Sequence, residues 1–271
     1  MVKDTSDKED IMTYGFIGCG NMGGAIARAL RKKTADIMIS DPSKMAADTA
    51  AELGCAYVSN EELVKGCDRI FLAVKPQMME QVLLPLRSLL AEHKPLLITI
   101  AAGLSISKIE AFVGTKLPVI RIMPNTPVMV GKGMIQYCYN ELVTQQDIEL
   151  FLDDMCYAGR LDQIPENLID AASALSGCGP AFMYMFIEAL ADGAVACGLP
   201  RAKAQEYAAA TMAGAAQMVL DTGSHPGELK DAVCSPGGST IVGVKTLEQN
   251  GFRSAAIECV INAYNKSKQL G

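Results

Sequence analysis

Tyr14-Gly-Phe-Ile-Gly18-Cys-Gly20-Asn-Met-Gly23-Gly-Ala-Ile-Ala-Arg-Ala-Leu30 decides the fold. Tyr14–Gly18 is a short apolar run of strand length, and Ala25–Leu30 is an alanine-rich stretch of helical pattern. Between them lies G-x-G-x-x-G in the setting it requires, a strand before and a helix after. The first glycine permits a tight turn, the second lets a pyrophosphate approach the backbone, and the third lets the helix pack close to the strand. Gly18, Cys19, Gly20, Asn21, Met22 and Gly23 are therefore the expected pyrophosphate turn. The alternative is a glycine-rich turn in an unliganded α/β fold.

Working outward, Ile37–Ser40 is the second strand, followed by Asp41-Pro-Ser-Lys44. An acidic residue about 20 positions after the glycines bonds the ribose hydroxyls and favours NAD. Asp41 holds that place, yet Ser40, Ser43 and Lys44 suit the 2′-phosphate of NADP. Asp41 can also serve as cap to a helix that begins near Ser43 and runs through Met45–Leu53 to Gly54. Arg69–Val74, Leu96–Ile100 and Val119–Ile122 are buried strands, closed by Lys75-Pro76, Ala101–Gly103 and Met123–Pro127. Ligands of open parallel sheets lie beyond the carboxyl ends of the strands. Val74, Lys75, Pro76, Ala101, Ala102, Gly103 and Asn125 are thus expected to wall the nicotinamide half. Lys75 read alone is equally a solvated surface lysine, and the prolines are turn formers first.

Met134–Cys138 alternates weakly and reads as an edge strand, and Gln145–Tyr157 as a helix. Gly159–Pro165 then breaks the pattern and the β-rich runs cease. The division expected is an α/β, Rossmann-type dinucleotide-binding domain over 11–164 and an all-α domain over 165–271. Asn167–Leu220 is helical by pattern and rich in Ala, Met and Gly, with breaks at Ser176–Pro180 and Gly198–Pro200. The helix Pro180–Ala196 is apolar nearly all round, with Phe182, Met183, Met185, Phe186, Ile187 and Leu190, so it must be buried. A domain of this size has little interior to hide it in. A second subunit is expected to cover it, the alternative being a fully internal helix.

Further on, Ser235-Pro-Gly237-Gly238-Ser239-Thr240 runs straight into a helical pattern with Ile241, Val244 and Leu247 on one face. A turn that opens a helix leaves first-turn N–H groups unpaired and aimed at one point, which attracts a small anion. The bland reading is an ordinary start with Ser239 or Thr240 as cap. His225-Pro-Gly227 invites assignment as a general acid and reads more simply as a turn before a helix from Glu228. The last helix is expected through Ala255–Leu270.

Composition excludes several classes. The 271 residues carry a net charge of −6 with no basic block, which argues against nucleic acid. The acidic start MVKDTSDKED is no secretory signal and reads as a loose tail. Glu188 and Asp192 interrupt the most apolar stretch, so no membrane span is expected. Nine cysteines without a C-x-x-C pair fit buried thiols in a reducing cytoplasm better than disulfides or a zinc site. Two histidines, His93 and His225, give a His-based metal site or triad little to draw on.

The motif series resembles pyrroline-5-carboxylate reductases over essentially the whole chain after the first ten residues. It comprises FIGCGNMGGAI, FLAVKP, TIAAGLSI, RIMPNTP, SGCGPAF at Ser176–Phe182, HPGELKDAVCSPGGSTIVGVKTLE, and GFRSA at Gly251–Ala255. The SPGGST segment is the most specific. The resemblance implies reduction of L-1-pyrroline-5-carboxylate to L-proline, the last step of proline biosynthesis, with NADPH, or with NADH. It implies pairing through the helical domains, sites built by two subunits, and often assembly into decamers. It implies that Ser235 and Gly237, Gly238, Ser239 and Thr240 bind the substrate carboxylate, with the Thr240 hydroxyl at the ring nitrogen as catalytic group. It places Asn60 on the adenosine ribose side, with Lys75, Ala101, Ala102 and Asn125 along the rest of the cofactor. Asp41 departs from many relatives and bears on the cofactor preference. Two rival readings are a related hydroxyacid dehydrogenase or imine reductase, and a nucleotide-sensing regulator. The first commonly uses a lysine on the inter-domain helix, and Ala181–Ala196 has none. The second would not need Ser235 and Thr240.

Overall fold

The computed structural model describes residues 12–33 and 36–268. The acidic start, the outer limits 11 and 271, and Leu270 at the end of the last helix lie outside the described residues. The chain forms two compact units, one of residues up to Gly177 with those from Tyr264 onward, the other Cys178–Ala263.

The first unit holds an eight-stranded sheet: β1 (Tyr14–Ile17), β2 (Ile37–Ser40), β3 (Ala56–Tyr57), β4 (Arg69–Leu72), β5 (Leu96–Thr99), β6 (Val119–Met123), β7 (Gly133–Tyr139) and β8 (Gly159–Gln163). Their order is β3-β2-β1-β4-β5-β6-β7-β8. All neighbours are parallel except β6 and β7. The order reverses beside β1, between β2 and β4, so the crevice for a ligand opens where the glycine turn sits.

Eight helices accompany the strands among the described residues of this unit: α1 (Asn21–Leu30), α2 (Lys44–Leu53), α3 (Asn60–Gly66), α4 (Met79–Leu83), α5 (Arg87–His93), α6 (Ile106–Val113), α7 (Gln145–Asp154) and α8 (Ile169–Ser176). Strand side chains alternate between two cores. Phe16 and Phe71 stack with ring centroids 4.6 Å apart in the layer shared with α1, α2 and α7. Ile17, Ile70 and Leu72 face the opposite layer with α3 to α6 and Ile169 of α8. Burial on both faces is why these strands read as unbroken apolar runs.

Two sequence expectations change. Met134–Cys138 is not an edge: β7 lies between β6 and β8 and is buried on both faces. Gly159–Pro165 is not a break, because most of it is β8, the true edge. Its sequence GRLDQ is largely solvated, so it carries no apolar alternation to recognise. Two-residue β3 is exposed and equally silent. By packing, the two compact units meet at Gly177 and Cys178. Arg121 of β6, nearly buried, holds Glu166 at 3.0 Å and Asp170 at 3.3 Å, and Ile169 enters the second core. These contacts keep residues 166–177 with the sheet.

The second unit holds α9 (Gly179–Ala196), α10 (Arg201–Thr222), α11 (Pro226–Ala232), α12 (Ser239–Gln249) and most of α13 (Phe252–Lys268). Its own core is small: Ala191, Ala204 and Ala208, with Ile187, Ala194, Val195 and Leu199 against them. Met183, Tyr184 and Met185 of α9 are 48%, 61% and 70% exposed, so the fully internal helix is excluded within one chain. The helical stretch 166–196 is long and apolar enough to cross a membrane by length and composition alone.

Candidate active site

Each glycine of the turn has its own reason. Gly18 adopts φ 92°, and a Cβ there would lie 2.7 Å from the Ala73 carbonyl carbon. Gly23 would place a Cβ 2.8 Å from the Gly18 carbonyl oxygen and 3.1 Å from Ala73 Cβ, so α1 can approach β1 only without one. A Cβ on Gly20 meets nothing within 4 Å. Nothing in the chain's own packing demands glycine there; the open space above it suits a close-approaching ligand. Gly20 is also the N-cap of α1 and offers no side chain to the first-turn amides, and that turn contains no acidic residue. An uncapped helix start over a bare backbone is a fit for a pyrophosphate.

Of the other residues in the turn, Asn21 is exposed and Met22 half-buried against the core. The Cys19 side chain is fully buried, and burial, then the Asp41 carboxylate, push its thiol up to about 11. Its backbone N–H donates to Asp41 Oδ2 at 2.8 Å. The other carboxylate oxygen, Oδ1, accepts from the Ser43 N–H at 2.7 Å. Burial alone would raise the Asp41 carboxyl, but hydrogen bonds from Ser43 and Cys19 outweigh it and hold it below the usual range. Asp41 does not cap α2. Ser43 does, its hydroxyl accepting from Ala46 N–H. Ser40 is buried and its carbonyl accepts from Gly18 N–H at 2.8 Å, which ties β2 to the turn. Asn60 opens α3 behind Ser59, whose capping box with Glu62 fixes that start.

At the carboxyl ends of β4, β5 and β6 a cleft of about 270 Å³ is lined by Pro76, Gln77, Ala102, Gly103, Met123, Asp170, Ser173 and Ser267. Pro76, Ala102 and Gly103 meet there as expected. Lys75 is exposed at the rim of β4, and Val74 is half-buried against the second core. Ala101 is buried, its N–H turned to Thr99 Oγ1. Asn125 is spent on the scaffold: its amide donates to the Ser176 carbonyl and accepts from Met134 N–H, both at 2.9 Å. Asp170 and Ser173 escaped the sequence reading because α8 was assigned to the second domain. Their spacing of three on one helix face was the available signal.

In the second unit, Ser235–Gly238 is a tight turn closed by Gly238 N–H to Ser235 carbonyl at 3.0 Å, with Gly237 at φ 69°. Proline second and a left-handed glycine third are what such a turn needs. The helix cap is Gly238, with no side-chain cap hydrogen bond, so neither Ser239 nor Thr240 caps α12. This corrects the bland reading: the first-turn amides are left to another acceptor. Ser235, Ser239 and Thr240 are exposed around them. His225 Nδ1 accepts from Gly227 N–H at 3.0 Å and caps α11, which begins at Pro226, not at Glu228. That nitrogen is an acceptor here, as a turn-forming residue requires.

A doubly wound sheet with an uncapped glycine turn at its reversal and a cleft at the strand ends, followed by a helical unit, is the fold of a nicotinamide-dinucleotide oxidoreductase. The family described as pyrroline-5-carboxylate reductase dimerisation matches residues 166–270, and that described as NADP oxidoreductase, coenzyme F420-dependent, matches 13–103. Pyrroline-5-carboxylate reductase of Escherichia coli is 43% identical over 265 residues, covering 94% of this chain and 97% of the other. The crystal structure of Plasmodium falciparum pyrroline carboxylate reductase with NADP bound is 38% identical, covers 96% and 98%, and superposes with a TM-score of 0.86. The structure of a pyrroline-5-carboxylate reductase from Coxiella burnetii is 31% identical, covers 97% and 99%, and superposes with a TM-score of 0.88. The chain belongs to the pyrroline-5-carboxylate reductase family.

Proposed function

We infer that this chain reduces L-1-pyrroline-5-carboxylate to L-proline, the closing step of proline biosynthesis, with NADPH as the main reductant and NADH as a lesser one. The observation that carries the reading is the pairing of two features in one chain: the glycine turn with free space above Gly20, and the uncapped turn Ser235–Thr240. The cofactor supplies hydride. The chain must hold and polarise its acceptor. A cyclic imine protonated on nitrogen is already electrophilic, so the demands on the protein are modest. Backbone N–H groups of Ser239 and Thr240 bind the substrate carboxylate at the positive end of α12. Ser235 closes the same cradle. The Thr240 hydroxyl accepts from the iminium N–H and steadies the ring nitrogen as its positive charge is lost. Gly18, Gly20 and Gly23 seat the pyrophosphate, and Pro76, Ala102 and Gly103 line the nicotinamide side.

The active form is a dimer paired through the helical unit, where large apolar side chains of α9, α10, α12 and α13 are exposed in the single chain. The net charge of −6 argues against nucleic acid. The free thiols suit a reducing cytoplasm. The test is the initial rate of NADPH and of NADH oxidation with pyrroline-5-carboxylate at equal cofactor concentrations, with proline assayed as product. Turnover with a preference for NADPH is expected. Cofactor binding without turnover would instead support a sensor.

A further inference from the structure

We propose that Asp41 is a positioning residue that clamps the pyrophosphate turn and does not select between NADPH and NADH. Its place at the end of β2 is where an acidic side chain normally engages the ribose and repels a 2′-phosphate. Here each carboxylate oxygen already has a backbone donor from the chain: Cys19 N–H at 2.8 Å on Oδ2 and Ser43 N–H at 2.7 Å on Oδ1. The two donors come from different segments of the chain, one in the glycine turn and one just before α2. Asp41 therefore bridges them and fixes the turn against β2. Its backbone takes part too, since the Asp41 carbonyl accepts the Tyr57 hydroxyl from β3.

Charge explains why this arrangement tolerates NADPH. Two charge-assisted hydrogen bonds hold both carboxylate oxygens on the backbone, and the amide dipoles offset part of the field that a 2′-phosphate would meet. What reaches a 2′-phosphate is then weakened, and discrimination falls to groups that face the ribose freely. Lys44 is exposed at the first position of α2 and is the cationic side chain in that position. Breaking the clamp loosens the Cys19–Gly20 backbone, which both cofactors use alike because they share the pyrophosphate. The loss is therefore common to both.

The proposal rests on the dinucleotide reading above, and its test separates the two. Dissociation constants of NADPH and NADH are measured by fluorescence titration without substrate, for the wild type, Asp41→Ala, Asp41→Asn and Lys44→Ala. Wild-type protein binding neither cofactor would defeat the dinucleotide reading itself. Given wild-type binding, Asp41→Ala is expected to weaken both cofactors by about 10-fold or more, the worth of one charge-assisted bond. The ratio of the two constants stays within about twofold, while Lys44→Ala moves it against NADPH. Asp41→Asn keeps the shape but presents an NH2 to one of the two donors, and carries the same test if the alanine variant does not fold. Both variants leave the KM for pyrroline-5-carboxylate unchanged at saturating cofactor, which general loss of structure would not. A ratio shifted about 10-fold toward NADPH in either Asp41 variant would overturn the proposal, because a selecting carboxylate behaves that way.

Discussion

At the scale of single residues, the glycine turn separates folding from ligand binding. Gly23→Ala forces a methyl against a backbone oxygen 2.8 Å away and is expected to cost about 1–3 kcal/mol of stability by overpacking. Gly20→Ala puts its methyl into open space and costs under about 1 kcal/mol, yet weakens NADPH about 10-fold or more by obstructing the pyrophosphate. Denaturant melts and cofactor titrations of the two variants check the contrast; equal effects on both measurements would refute it. Thr240→Ala is expected to lower kcat/KM about 10-fold or more, the worth of one to two charge-assisted hydrogen bonds, and Ser235→Ala to act mainly on KM. Steady-state kinetics decide, and an unchanged kcat/KM for Thr240→Ala would remove it from the mechanism. Gly18, Gly23 and Gly237 were legible because their motifs state a backbone requirement that glycine meets. Asp41 and Asn125 were legible only by position. What their side chains actually bond depends on Cys19, Ser43, Met134 and Ser176, and sequence spacing does not specify those geometries.

Among elements, the central strands β1, β2, β4, β5 and β6 were plain because burial on both faces makes them apolar throughout. β8 was missed for the opposite physical reason: its side chains GRLDQ are largely exposed and carry no apolar run. β8 and the clamp on Arg121 carry residues 159–177 with the sheet. Arg121 is 4% exposed, while Glu166 and Asp170 are its acidic partners at 3.0 and 3.3 Å. Glu166 Oε1 also accepts the Ile106 N–H at the start of α6. Glu166→Ala therefore leaves a buried guanidinium short of a partner and frees a helix-start amide. A loss of about 2–3 kcal/mol is expected in urea unfolding, below the usual cost of breaking a fully buried pair because Asp170 remains. A change under about 0.5 kcal/mol would mean the clamp adds nothing. Asp170 and Ser173 belong to the cleft through this same clamp, so the element that escaped the sequence reading is also the one that brings two unforeseen side chains to the site.

For the molecule as a whole, one property follows from how little of the helical unit one chain buries, and another from how fully the first unit buries three of its thiols. The exposed α9 side chains need a partner, so Met185→Glu, 70% exposed in the single chain, is expected to drive the protein toward monomers and abolish turnover. Sedimentation velocity reads this directly and also separates a dimer from a larger ring; wild-type protein sedimenting as a monomer would contradict the pairing. Burial also sets the alkaline limit. The thiols of Cys19, Cys67 and Cys138 are pushed up to about 11, 12 and 11, chiefly by desolvation. Below their ordinary value both folded and unfolded chains keep these protons and nothing changes. From about pH 9 upward the unfolded chain releases them while the folded chain retains them, so stability falls until the folded values are reached. Stability that does not decline between pH 9 and 11 would contradict this, as would iodoacetamide labelling of Cys19 at neutral pH in the folded protein. The measurement that bears most directly on the reductase itself is isotopic. NADPH deuterated at the transferable nicotinamide position is supplied with pyrroline-5-carboxylate, and the proline formed is examined by NMR. One deuterium at C5 of proline, the former imine carbon, is the result expected. Proline without deuterium at C5, or no proline from a protein that binds NADPH, would contradict direct hydride transfer to the cyclic imine.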